Sequence, residues 1–323
     1  GLGDVYKRQL PDFTAAALIC LSNMSWRTVV ISSNSKLDYK MNYLVVRNAE
    51  SAKRIHIEEI SILLIESTAV SLTAYLLCEL SKRKIDVIFC DEKRCPAGLY
   101  LPLYGSHDTA LKLRNQVKWN EYTKQLVWAE VVRAKISGQA AVLKKCGRGN
   151  ASLLEQYISG IEPGDPTNRE GHAAKVYFNS LFGMEFSRSL DNNINAALNY
   201  GYGILLSAFA REIVANGYST QLGIFHDNMF NHYNLACDLM EPFRPFIDYA
   251  VTMAELSEFG HSEKMKLVQA LNRQIIIDGK TQYMTNAIKI FVKSIFDALG
   301  ENDISKIRLP DYELQIYENA DIF

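Results

Sequence analysis

Long apolar runs are absent from this sequence: no stretch approaches the roughly eighteen consecutive apolar residues of a membrane-spanning helix. No membrane partner is predicted on that ground. Net charge is nearly absent as well. Lys and Arg number 35 and Asp and Glu 36, a balance of −1, so no global field points to a polyanion or a lipid surface. Cysteines are few and scattered, at positions 20, 78, 90, 95, 146 and 237. Only Cys90 and Cys95 are neighbours, and no second pair completes a zinc site. Thiols spread in this way fit a reducing compartment, which predicts a cytoplasmic protein. Repeats and low-complexity tracts are missing too.

What is present is an ordinary globular mixture. The 323 residues are 48% hydrophobic and 22% charged, enough for two domains with a core each. Charge is unevenly placed. Between Lys112 and Arg148, nine Lys and Arg face two acids, Glu121 and Glu130, a local balance of +7, while acids gather in the tail from Glu301 onward. Near the start, Lys7-Arg8 and the apolar FTAAALICL (13–21) loosely imitate a secretory signal, but Asp12 interrupts it and no small-residue cleavage site follows. Residues 1–23 therefore read as an upstream extension outside the fold.

The hydrophobic period divides the rest. RTVVIS (27–32), NYLVVRN (42–48), KRIHIEE (53–59), SILLIES (61–67) and DVIFC (86–90) read as short strands, with one amphipathic helix over 70–81. Pro and Gly in CPAGLYLPLYGSHD (95–108) mark a linker. Helix dominates afterwards, over 111–143, 170–186, 191–216 with Gly217 as its stop, 234–257 and 262–299. The expected architecture is α+β: a small β-sandwich-like domain at 24–95 with one helix, a linker at 96–108, an all-α domain at 109–310 and an acidic tail at 311–323.

Chemistry-bearing residues concentrate in GIFHDNMFNHYNLACDLMEPFRP (223–245), which holds His226, Asp227, His232, Asp238 and Glu241. A helix starting near Asn234 would put Asp238 and Glu241 on one face, opposite a loop histidine, a reasonable divalent site. The bland reading is a capped surface helix with solvated acids. His226 and His232 do not have the i, i+4 spacing of metalloproteases. In DPTNREGHAAKVYFNSLF (165–182), Thr167 and Glu170 fit a capping box, yet a carboxylate at the head of a packed helix also suits a metal. Spacing leaves both open. The basic segment offers Lys112, Arg114, Lys118, Lys124, Arg133, Lys135, Lys144, Lys145 and Arg148, interleaved with Trp119, Tyr122 and Trp128. It reads either as a phosphate-tracking face or as a solvated helix face.

DPTNREGHAAKVYF (165–178), DNNINAALNYGYGILLSAFAREI (191–213) and LGIFHDN with NLACDLMEPFRP (222–245) together resemble the CRISPR-associated integrase family, the universal spacer-acquisition endonuclease, and are most similar to its type II-A branch. The resemblance runs from Met24 to about Pro310. It implies an N-terminal β domain that dimerises and a helical catalytic domain. It places the family's metal ligands on Glu170, His226 and Glu241, with Asp238 as a further acid near the site. The implied cofactor is Mg²⁺ or Mn²⁺. The implied chemistry is transesterification, in which the 3′-hydroxyls of short foreign DNA attack phosphates at the ends of a CRISPR repeat. DNA contacts would fall on Lys112, Arg114, Lys118, Arg133, Lys135, Lys144, Lys145 and Arg148. Implied partners are double-stranded DNA, a second copy of the chain and a small ferredoxin-like adaptor dimer. The type II-A likeness adds the RNA-guided effector nuclease and a ring-forming accessory protein. Competing readings are a stand-alone metal-dependent nuclease or phosphodiesterase, and a non-catalytic DNA-binding scaffold.

Overall fold

The computed structural model describes residues 27–49, 51–103, 105–254 and 256–312. The extension read at 1–23 and nearly all of the acidic tail at 311–323 lie outside them. Among the described residues no helix is long and apolar enough to cross a membrane.

The N-terminal part contains β1 (Arg27–Ile31), β2 (Ser35–Lys40), β3 (Tyr43–Arg47), β4 (Ala52–His56), β5 (Ile60–Ile65), β6 (Val70–Leu72), α1 (Ala74–Lys82), β7 (Asp86–Cys90) and β8 (Pro96–Tyr100). They form two four-stranded sheets, in the orders β1-β5-β7-β8 and β4-β3-β2-β6. In the first, β1, β5 and β7 are parallel and β8 is antiparallel to β7. β5 (ISILLI) is buried at all six positions because it is an inner strand covered on both faces. The pleat sorts its side chains into two cores. Leu63 and Ile65 join Leu37, Leu44, Leu76 and Leu80 in a cluster shared by the two sheets and α1. Ile62 and Leu64, with Ile88, face the helical part.

Three details depart from the sequence reading. Strand β2 (SKLDYK) was not anticipated, because its half-polar run carries only a few apolar residues; a turn at Met41-Asn42, both at positive φ (50° and 65°), joins it to β3. The helix starts at Ala74, capped by the Thr73 hydroxyl, and residues 70–72 pair with β2 instead. Residues 96–100, read as linker, are the edge strand β8. Pro and Gly mark an edge strand as readily as a linker, since an edge spares backbone N–H groups.

The helical part comprises α2 (Thr109–Val117), α3 (Glu121–Lys145), α4 (Ala151–Ser159), α5 (Arg169–Phe182), α6 (Asn193–Ala215), α7 (Asn234–Met240), α8 (Arg244–Met253), α9 (His261–Leu271) and α10 (Met284–Glu301). α3 is its axis, packed by α4, α5, α8 and α10, so apolar residues surround it rather than marking one face. α6 packs on β7 and β8, which joins the two parts through one layer. The helix read over 234–257 is broken at a 3₁₀ turn, Glu241–Phe243, where Pro242 and Pro245 cannot donate helical hydrogen bonds.

An all-α C-terminal domain is not what forms. The run read as helical over 262–299 contains a hairpin, β9 (Gln274–Ile277) and β10 (Lys280–Tyr283), turning at Asp278-Gly279 with φ of 53° and 68°. Asp-Gly between β-branched runs is a strong hairpin signal, masked here by apolar residues at helical spacing on either side. A short β11 (Pro310–Asp311) adds a third strand, against β9.

Candidate metal centre

Glu170 lies in the first turn of α5, but it does not cap it. Asn168, in left-handed backbone at φ 52°, accepts from Gly171 N, and Asp165 accepts from the backbone N of Arg169 and Glu170 at 2.9 Å each. The capping role anticipated for Thr167 and Glu170 thus goes to Asn168 and Asp165. A Cβ at position 171 would stand 2.7 Å from Asn168 Oδ1 and push the capping amide aside. With its helix capped by others, the Glu170 carboxylate projects to Lys135 of α3.

Glu241 is reached from the other side. The proline break after α7 turns its side chain inward, where it is 6% exposed and packed against α3. Its Oε2 is 2.5 Å from Lys135 Nζ and its Oε1 is 3.1 Å from an Arg244 guanidinium nitrogen. Burial alone would raise the Glu241 pKa, but Arg244 and Lys135 outweigh burial and hold it below the usual carboxylate range. Lys135 mirrors this: burial would lower its pKa, and Glu241 with Glu170 raise it.

His226 sits in a loop held by a carboxylate. Asp238, fully buried on α7, accepts from Ile224 N (2.7 Å), Phe225 N (3.0 Å) and His226 N (3.1 Å), and meets His226 Nδ1 at 2.5 Å. Both Asp238 oxygens are thereby occupied, which makes it the residue that positions His226 rather than an inward-facing acid beside Glu241. The loop can wrap this tightly only at Gly223, where a Cβ would collide with His226 O and stand 2.7 Å from Asp238 Oδ2. The bond to Asp238 raises the His226 pKa, against burial, which lowers it. The imidazole side chain is 43% exposed. With Nδ1 committed to Asp238, Nε2 is its open nitrogen.

Glu170 and Glu241 thus converge on one cationic point, and His226 is close enough to Glu241 for each to feel the other's charge. Among the described residues no three His, Cys, Asp or Glu side chains are gathered at metal-holding distance. The Lys135 ammonium stands between the two carboxylates instead. Beside His226 opens a cavity of about 600 Å³ whose lining includes Trp119, Lys124, Trp128 and Phe225. Trp128 and Phe225 stack at 4.3 Å, with Phe225 half exposed.

The basic segment does not form one surface. Lys135 is 7% exposed and faces the two carboxylates of the centre, apart from the exposed basic residues. Arg133 turns to Glu130 (2.5 Å) and to Ile161 O (2.6 Å). Arg114 and Lys118 are exposed on and just after α2, and Lys112 pairs with Asp108 at 3.3 Å. Lys144, paired with Glu155 at 2.5 Å, Lys145 and Arg148 lie at the opposite end of α3. The 25 residues of α3, about 37 Å of helix, lie between the α2 end and the second group.

The family model described as "CRISPR associated protein Cas1" matches residues 28–262, well over half of the chain. The chain belongs to the Cas1 family. The CRISPR-associated endonuclease Cas1 of Neisseria meningitidis serogroup C is 33% identical over 296 residues, covering 89% of this chain and 97% of that protein. A solved casposase bound to integration product superposes with a TM-score of 0.72 at 18% identity, covering 92% of this chain and 96% of that one. A chain of a Cas6-RT-Cas1–Cas2 complex gives 0.67 at 16% identity, covering 94% of this chain and 37% of the longer one. Those two likenesses establish a Cas1-type fold. Gly223, Asp165 and Arg244 were not singled out from the sequence. All three lay within local reach: Gly223 is three residues before the histidine, Asp165 four and five residues before the N–H groups it caps, and Arg244 three after Glu241.

Proposed function

We propose that this Cas1 enzyme inserts short foreign DNA at a CRISPR repeat, using Glu170, His226 and Glu241 to hold one Mg²⁺ or Mn²⁺. The observation that carries this reading is the convergence of Glu170 and Glu241 on a single cationic point, with His226 locked alongside by Asp238. Two carboxylate oxygens and an imidazole nitrogen are a fitting donor set for either ion and leave positions for phosphate oxygens. When bound, the ion supplies charge stabilisation for the phosphorane and favours ionisation of the attacking hydroxyl.

The chain's own part is positioning. Asp238 fixes the imidazole with Nδ1–H toward itself and the Nε2 lone pair outward. Arg244 keeps Glu241 ionised in a buried setting. The cavity suits a strand end, with the half-exposed Phe225 ring for a base and Lys124, which pairs with Glu121 at 2.9 Å, at its wall. A 3′-hydroxyl placed there attacks a repeat phosphate; a new P–O bond forms, the old one breaks, and the displaced 3′-oxygen takes up a proton. No protein nucleophile is needed. Water in place of the hydroxyl gives nuclease activity from the same residues.

DNA is the substrate under this reading, a second copy and an adaptor of the Cas2 type are the assembly partners, and the N-terminal sheets are the self-association surface. The test is strand transfer of labelled duplex ends into repeat DNA. Glu170→Ala, His226→Ala and Glu241→Ala should each lose joining while retaining DNA binding. Normal joining by Glu170→Ala would overturn the metal-centre assignment. Cleavage that proceeds equally without a repeat, and never joins ends, would favour the stand-alone nuclease.

A further inference from the structure

The position between the two carboxylates is already filled by part of the protein. Lys135 rises from the middle of α3, 7% exposed, with Nζ against Glu170 Oε1 and 2.5 Å from Glu241 Oε2. Arg244 adds a second cation at 3.1 Å from Glu241. Within contact distance two carboxylates already face two fixed cations before any metal arrives, with the buried acids Asp238 and Asp248 beyond them. A divalent ion added to that set would create a strong positive excess in a place largely closed to water, an arrangement that burial penalises. The ammonium must therefore move or an anion must enter with the ion.

Both routes are open to a lysine. Its stem has four rotatable methylenes, unlike the rigid fork of an arginine. Glu170 is 28% exposed at its side chain, so the solvent side of the pair is where a phosphate would approach. One turn along α3 on the same face, Gln139 has a buried Oε1 without a hydrogen-bond partner, an acceptor for a displaced ammonium.

We propose that Lys135 is an internal counter-cation that stands in the metal position of the metal-free enzyme, yields it when the metal enters, and is taken up by the arriving DNA phosphate. This rests on the metal-centre reading above. It makes metal binding weak in the free protein and couples it to DNA. By linkage, each ligand tightens the other by the same factor.

The experiment measures Mn²⁺ binding by the loss of the free-ion electron paramagnetic resonance signal, with and without a short duplex, for wild type, Lys135→Met and Glu170→Ala. Lys135→Met should bind Mn²⁺ about ten-fold or more tightly than wild type, with most of the duplex-linked gain gone. In EDTA it should also melt below wild type, and Mn²⁺ should restore more of its melting temperature than it adds to wild type. A lysine with only a structural role would lower stability and leave the Mn²⁺ affinity where it was, which would overturn the proposal. If Lys135→Met does not fold without metal, wild type decides: Mn²⁺ affinity that fails to rise with duplex overturns it, and a rise supports it. The two readings fail separately. Wild type with no Mn²⁺ site dependent on Glu170 sinks the metal centre itself. Binding through Glu170 that is indifferent to Lys135→Met sinks only the role of Lys135.

Discussion

The two cores of this molecule treat charge in opposite ways. In the β half, Leu37, Leu44, Leu63, Leu76 and Leu80 make an apolar cluster, and the fully buried acids Glu66 and Asp86 sit at the seam with the helices. Asp86 accepts from Ser207 of α6 at 2.8 Å, and Glu66 lies 3.3 Å from His261 of α9. In the helical half, Lys135, Asp238, Glu241 and Asp248 are buried in the middle, around α3. Replacing buried ionic groups by well-packed apolar ones is often neutral or stabilising, so a core that keeps them is serving something other than stability. The β half is built to hold together; the helical half is built to hold a charge in place.

The largest effect separating the two should come from Glu241→Ala. Under the proposed metal centre this change removes a ligand and several kcal/mol of charge stabilisation, so joining should fall by roughly 10³-fold or more in a strand-transfer assay. Leu63→Ala, in the β cluster, should cost about 2–5 kcal/mol in urea unfolding through the cavity it leaves. That loss should be the same with Mn²⁺ as with EDTA, whereas variants at the centre should respond to metal. A metal-dependent Leu63→Ala would erase the distinction between the cores.

A pH test sharpens the comparison further. Burial pushes Asp248 up to about 6, against hydrogen bonding from Tyr202 and the nearby Arg244 charge. The folded state then holds a proton that the unfolded carboxyl, near 3.8, has released. Stability contributed by that proton is present below the unfolded value and is lost as pH rises from about 4 through 6, by up to about 3 kcal/mol. Asp248→Asn should flatten that part of the stability profile. Asp86, which burial also pushes up to about 6, should give its own share, removed by Asp86→Asn.

Smaller effects should follow from the outer parts. Asp238→Asn should lower metal affinity or joining by about 10–100-fold, because it leaves the ligands present and loosens the histidine. Smallest should be the basic residues. Arg114→Ala with Lys118→Ala, at the α2 end near the cavity, should lower the slope of log affinity against log salt by about 2 if both meet phosphate. The same measurement on Lys144, Lys145 and Arg148, at the far end of α3, tests whether DNA reaches both ends. Equal effects on repeat and unrelated duplexes are expected from either group, because phosphate contacts carry no direct sequence information.

Much of this was legible along the chain. Alternation mixed with β-branched residues marked β1, β3, β4 and β5, a buried apolar run marked β7, and the helix-rich runs covered α3, α5, α6 and α10. The resemblance carried by residues 165–178 and 222–245 named Glu170, His226 and Glu241. Strands β2, β8, β9 and β10 escaped because edge pairing and hairpins depend on which segments meet, and local composition there is ambiguous. Asp238 was named without its job, since one acid at helical spacing cannot show that its oxygens are filled by a loop twelve residues upstream.

The sequence by itself therefore determined the residue types of the centre and the order in which they arrive, because ligand chemistry and helix patterning are local properties. Only the tertiary structure decided what each charge faces. Lys135 is one of nine basic residues in the 112–148 segment, yet it is buried between two carboxylates while Arg114 and Lys118 stand in solvent. The reason is physical. Burial and pairing of a charge depend on the packing of α3, α5 and the Glu241 turn against one another, and no single segment contains that arrangement.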